Sequence, residues 1–169
     1  RQMCIRDSYS AGLCKKMGLP DFHKDSFDCG MAFLRILQTE QLDYTQSFLR
    51  LQNQQYKALR DDCLDIRQFD EFLQSYHAIR EQQDIEQLNA QMQQANPVYI
   101  LRNHMAQKAI EQAERGDLSE VERLFSLLRH PFTPQPELER PEDLAPLPSD
   151  VPEVMVSLSL IHISEPTRL

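Results

Sequence analysis

The chain is expected to be all-α, with about six or seven amphipathic helices, αα-hairpins and a Pro-rich extended tail. Apolar residues recur with a period of 3.6 in most segments, helix-start and helix-stop residues bracket those runs, and no credible period-two alternation appears between the two ends. The 169 residues suffice for one domain with a modest core and are too few for two comfortable ones. A mean hydropathy of -0.54 and abundant Gln, Glu and Asp point to surface-rich helices.

Tyr9–Met17 reads as the end of a helix closed by Gly18 and Pro20. From Ser26 to Thr39, Phe27, Met31, Leu34 and Leu37 fall at helical intervals, although Gly30 inside that run costs about 1 kcal/mol relative to Ala. Asp43 can cap a helix bearing Tyr44, Phe48 and Leu51, and the polar stretch Gln52–Leu59 fits either a continuation of that helix or a loop. Asp65 opens a longer segment with Ile66, Phe69, Phe72, Leu73, Tyr76 and Ile79. A break around Glu81–Asp84 precedes Ile85, Leu88 and Met92.

Local signals agree most closely in Asn96–Phe132. Asn96-Pro97 reads as a helix start, Val98, Leu101, Met105, Ala109, Ile110 and Ala113 as its apolar stripe, and Gly116 as its stop. Asp117 then caps a second helix with Glu120 as capping-box partner and Leu118, Val121, Leu124, Phe125 and Leu128 as its stripe, ended by Pro131. Seven prolines, Pro131, Pro134, Pro136, Pro141, Pro146, Pro148 and Pro152, make the following stretch an extended, mobile tail.

The two ends have a different character. Leu158–Arg168, LSLIHISEPTR, looks like the conceptual translation of a transposase sequencing adapter, and Met3–Ser8, MCIRDS, like the same adapter read from the other strand. The expected organisation is therefore 1–8 adapter-derived, 9–130 helical, 131–157 a Pro-rich tail and 158–169 adapter-derived. The native part is expected to be an internal or C-terminal fragment of a longer protein.

Composition excludes several kinds of chemistry. The net charge of -8 argues against sequence-independent attraction to nucleic acid or anionic lipid, and no apolar run reaches transmembrane length. Gly12, Gly18, Gly30 and Gly116 are too far apart to form a phosphate-cradling loop, and no HRD-like, DFG-like or GxSxG pattern occurs. Cys14, Cys29 and Cys63 with His23, His77, His104 and His130 lack zinc-ligand spacing and read as core or surface residues, while Cys4 and His162 fall in the adapter-like ends. The absence of a CxxC pair fits reduced thiols in a cytoplasmic protein.

Asp61, Asp62 and Asp65 lack the glycine and bidentate Glu of a calcium loop, and read as a solvated turn with a helix cap. Arg102-Asn103 is the most suggestive polar pair. Arg102 could grip a carboxylate or phosphate, but a structural ion pair between helices is the reading adopted. No residue is assigned a catalytic, cofactor-binding or metal-ligating role.

The pattern NPxxxLRNxxAQxAIExAExGDxxExxRLxxLLRxPF at Asn96–Phe132 resembles the C-terminal region of the selenoprotein O (SelO, YdiU-type) family. Tyr9–Gly18, YSAGLCKKMG, is similar to that family's helix ending in a K-x-G turn, and Leu42–Leu51, LDYTQSFLRL, to its DYTxxFR segment. The resemblance implies a longer protein with a kinase-like fold, a pseudokinase that uses ATP and Mg²⁺ to transfer AMP to Ser, Thr or Tyr hydroxyls of protein substrates. Its phosphate- and metal-binding residues would lie N-terminal to the present chain, in a missing catalytic lobe that is the expected partner. The chain alone is expected to be inactive, without bound cofactor. The family's C-terminal redox Cys or selenocysteine, which follows a Pro-Pro-acidic-Trp segment, has no counterpart: Pro148-Ser149-Asp150-Val151 lacks the Trp, and the adapter-like run begins after Val156-Ser157. The alternative is a free-standing helical interaction module, because AIEQAERGDLSEVERLFSLL is superficially like an ankyrin helix pair. No repeat of about 33 residues supports it.

Overall fold

The computed structural model describes residues 2–21, 23–81 and 83–145, with side chains from Ser8 onward. Among these residues it shows nine helices: α1 Gln2–Met17, α2 Lys24–Thr39, α3 Tyr44–Gln52, α4 Tyr56–Asp61, α5 Ile66–Arg80, α6 Ile85–Ala95, α7 Asn103–Glu114, α8 Ser119–Leu128 and α9 Pro141–Leu144. The all-α class is as expected, and the two short helices α4 and α9 raise the count. The ambiguous stretch Gln52–Leu59 resolves into a break at Gln54, with φ 56°, followed by α4. The chain's helix α1 begins within the segment read as adapter-derived, whereas 158–169 lie outside the described residues.

The larger core is shared by α1–α6. Phe33 of α2 is fully buried, stacking on Phe72 at 4.9 Å and meeting Phe48 edge-on at 5.3 Å. Phe69 and Tyr76 extend the aromatic row along α5. Gly30 lets α1 come close to α2, since a Cβ there would lie 2.8 Å from Leu13 Cδ2; its helix-propensity cost is offset by packing.

The corner after α1 is held by side chains from far along the chain. Gly18 has φ +58°. The Tyr76 hydroxyl donates to Met17 O at 2.8 Å, and buried Arg80 donates to Gly18 O at 2.7 Å and to Asn89 Oδ1 at 2.6 Å. Lys16 Nζ donates to Ala95 O at 2.9 Å, meeting a last-turn carbonyl of α6.

The smaller core belongs to the hairpin: Tyr99, Met105, Ala109, Leu124 and Leu127. Here the structure corrects the sequence reading at both helix starts. Asn96 ends α6 instead of starting α7; it is extended, as a residue before Pro prefers, and its side chain donates to Lys16 O at 2.8 Å. Residues 97–102 then run outside any helix, with Val98 N and Tyr99 N both donating to Pro131 O. Leu101 and Ile110 are consequently exposed, while Tyr99 is a core residue the periodicity overlooked. The stop at Gly116, φ +85°, is as expected. Asp117 accepts from Ser119 N at 2.9 Å, but Glu120 makes no capping box because it is buried in an ion cluster.

Residues 131–145 fold back on the hairpin, in place of the extended tail expected there. Tyr99 ties this segment down by donating to Glu139 and accepting from Gln135 N at 2.8 Å. Pro141 opens α9, where its missing N–H costs nothing. The tail's later prolines, from Pro146, lie outside the described residues.

Candidate functional site

Arg102 and Asp43 join the two cores. Asp43 caps α3 by accepting from Gln46 N at 2.8 Å, and the same carboxylate takes both terminal nitrogens of Arg102, at 2.6 and 3.2 Å. The Arg102 side chain is 6% exposed. With its fork already occupied by a carboxylate, Arg102 serves as the structural ion pair that the sequence reading favoured. Burial alone would raise the Asp43 carboxyl, but hydrogen bonds from Arg102 and Gln46 hold it below the usual carboxylate range. Asn103 is the first residue of α7.

Asp43→Ala removes a cap and leaves Arg102 charged without a partner. We expect a loss of about 3 kcal/mol in urea denaturation; Asp43→Asn should recover only the contribution of the cap, about 1 kcal/mol, because its Nδ2 would face an Arg102 donor and its charge is gone.

A second charge cluster was not singled out from the sequence. Arg123 on α8 binds Glu120 at 2.8 Å and Asp143 of α9 at 2.7 Å, and it also donates to Leu138 O at 2.7 Å. Arg140 reaches Glu120 at 2.6 Å, so two carboxylates and two guanidiniums offset one another. Hydrogen bonds from Arg123 hold the Glu120 carboxyl low; burial would raise Asp143, but Arg123 and the Arg140 N–H bring it below the ordinary range. The i,i+3 spacing of Glu120 and Arg123 was visible in the sequence. Their link to Asp143 depends on the fold-back of the tail and was not.

The remaining candidates have structural surroundings. Asp65 caps α5 by accepting from Gln68 N at 3.1 Å, as expected, and Asp62 pairs with Arg50. Glu40 receives the N–H groups of Leu64 and Asp65, fixing this turn. Cys14, Cys29 and Cys63 are free and buried; burial pushes the Cys29 thiol up to about 12 and the Cys63 thiol up to about 11, away from thiolate chemistry. Among the described residues, no three His, Cys, Asp or Glu side chains gather in a way that could hold a metal ion. Nor is any helix there long and apolar enough to cross a membrane.

Residues 2–129, helices α1 to α8, match the family model described as protein adenylyltransferase SelO. The chain belongs to the SelO family. It is similar to the protein nucleotidyltransferase YdiU of Yersinia pseudotuberculosis serotype O:1b, with 36% identity over 149 residues, covering 85% of this chain and 30% of that protein. The YdiU of Pectobacterium atrosepticum is 38% identical over 152 residues, 86% of this chain and 31% of its own length. The YdiU of Pseudomonas fluorescens Pf0-1 is 45% identical over 113 residues, 63% of this chain and 23% of its own. The chain thus spans under a third of the length of the SelO relatives it matches. The joint between the cores, Asp43–Arg102, and the Gly18 corner both lie inside the SelO match.

Proposed function

We propose that this chain is the C-terminal helical portion of a SelO-type pseudokinase that transfers AMP to Ser, Thr or Tyr hydroxyls of proteins, and that it supports the catalytic lobe without performing chemistry. In that reaction a substrate hydroxyl oxygen bonds to the α-phosphorus of ATP and gives up its proton to a base or to solvent, the bond from that phosphorus to the bridging oxygen breaks, and pyrophosphate leaves; Mg²⁺ held by the longer protein would offset its charge. The observation that carries the reading is the SelO match across 2–129 by a chain covering about 30% of its relatives' length. The internal charge pairs agree with a supporting role: Arg102, Arg123 and Arg80 spend their guanidiniums on carboxylates, backbone carbonyls and Asn89 instead of presenting them to a phosphate. ATP, Mg²⁺ and the protein substrates are assigned to the longer protein, and its proposed location is the cytoplasm.

Calorimetry of this chain with ATP and Mg²⁺ is expected to show no saturable heat. Replacing the matching part of the Pseudomonas fluorescens relative with this chain is expected to give a protein that transfers labelled AMP to a protein acceptor. Saturable Mg²⁺-dependent ATP binding by this chain alone would refute the supporting role.

A further inference from the structure

Helix α8 carries apolar residues on two sides. Glu120, Leu124 and Leu127 point into the hairpin and are at most 5% exposed. Leu118, which caps the helix, Val121 and Phe125 fall within about 60° of arc on a different side, at 100° per residue. They are 55%, 41% and 64% exposed. Arg129 lies over the Phe125 ring at 5.6 Å, yet the ring remains mostly uncovered. Ile110 of the partner helix α7 is also half exposed. A solvent-facing helix side normally carries polar residues, so a stripe of Leu, Val and Phe at helical spacing marks a surface that is covered in the working protein.

We propose that this outer stripe of α8 is the docking face for the part of the SelO-type protein that precedes this chain. The proposal deepens the supporting role above and rests on the same family reading. The choice of occupant follows from length: the matched relatives carry about 70% of their residues outside the matched portion, ample surface to cover one helix face. A segment held on the same chain also meets the stripe at a high effective concentration, so a face of three anchors suffices where a free partner would need a larger area. The stripe includes no member of the Arg123 cluster, so covering it leaves the hairpin's internal ion pairs intact.

The test compares this chain with the Pseudomonas fluorescens fusion. Val121→Cys is labelled with a maleimide and read peptide by peptide; the native Cys14, Cys29 and Cys63 are buried. The expected result is labelling at least tenfold slower in the fusion than in this chain. A Leu118→Ser, Val121→Ser, Phe125→Ser variant should lower the melting temperature of the fusion by at least about 5 °C more than it lowers that of this chain. Hydroxyl-radical footprinting of the matching helix in the intact Pseudomonas fluorescens relative reads the same burial without a fusion, and protection is expected there. Equal labelling rates, or an unprotected helix in the intact relative, would overturn the proposal. So would a dimer of this chain, seen by light scattering and abolished by the triple variant, since a second copy would then cover the stripe. AMP transfer is scored separately: a fusion that shields residue 121 but transfers no AMP upholds the docking face and counts against the catalytic reading.

Discussion

Arg123→Ala is expected to lower stability by about 3–5 kcal/mol, the usual cost of removing one member of a buried ion cluster. The loss exceeds that of one contact because Glu120 and Asp143, 2% and 0% exposed in their side chains, would lose the guanidinium that bonds to both. Urea denaturation with tryptic digestion should show residues 131–145 released first, since Arg123 ties Leu138 O and Asp143 to α8. Arg123→Lys should recover only part of the loss, because an ammonium cannot present the planar fork that serves two carboxylates and a carbonyl. The cluster also sets the acid limb of stability. Both carboxyls are held below their unfolded values, so their contribution is complete above about pH 4.5 and is lost as pH falls through the lower folded values. The unsubstituted chain should therefore lose stability below about pH 4, and Arg123→Met should flatten that dependence.

Gly18→Ala is expected to cost about 2–4 kcal/mol, combining left-handed strain with overpacking. At φ +58° an added Cβ would meet the Arg80 guanidinium and lie 2.6 Å from Met92 Sδ. Arg80 could not retreat without giving up its bonds to Gly18 O and Asn89. Gly12→Ala is the matched control. It lies in α1 with nothing within 4 Å of the new methyl, and should raise stability by about 0.5–1 kcal/mol through helix propensity. Thermal melting followed by circular dichroism separates the two, and a Gly18→Ala chain as stable as its parent would refute this account of the corner.

What the sequence revealed depended on how local the cause was. Asp43, Asp65 and Gly116 act on neighbours within a turn, and each caps or stops a helix as read. Asn96-Pro97 carried an equally good local signal and failed: Asn96 Nδ2 donates to Lys16 O and Gln52, and the following Val98 and Tyr99 N–H groups go to Pro131 O instead of opening a helix. The α8 stripe was right in part: Leu124 and Leu128 join the hairpin core as read, whereas Leu118, Val121 and Phe125 have the right spacing but are exposed, and Leu127 and Glu120 turn inward instead. Periodicity identifies which residues share a side of a helix and not which side meets the core. The same limit applied to charges, where Arg102 was noticed beside its helix start but Arg123 was not. Family resemblance rested on long-range order and spacing, and the SelO match includes all three segments that carried it, save the last three residues, His130, Pro131 and Phe132.

The corner at Met17–Gly18 has a consequence during synthesis. Its carbonyls wait for Tyr76 and Arg80, and Lys16 waits for Ala95, 79 residues later. At 5–20 residues per second, about 4–16 s pass between the emergence of α1 and that of its last partner. Throughout that interval Leu13, Cys14, Met17 and Leu19, all buried in the finished fold, have α2 and α3 to pack on but lack the cover that α5 and α6 complete. Helix α1 thus stays incompletely covered until α6 emerges, and a pause in translation before codon 96 would prolong its exposure.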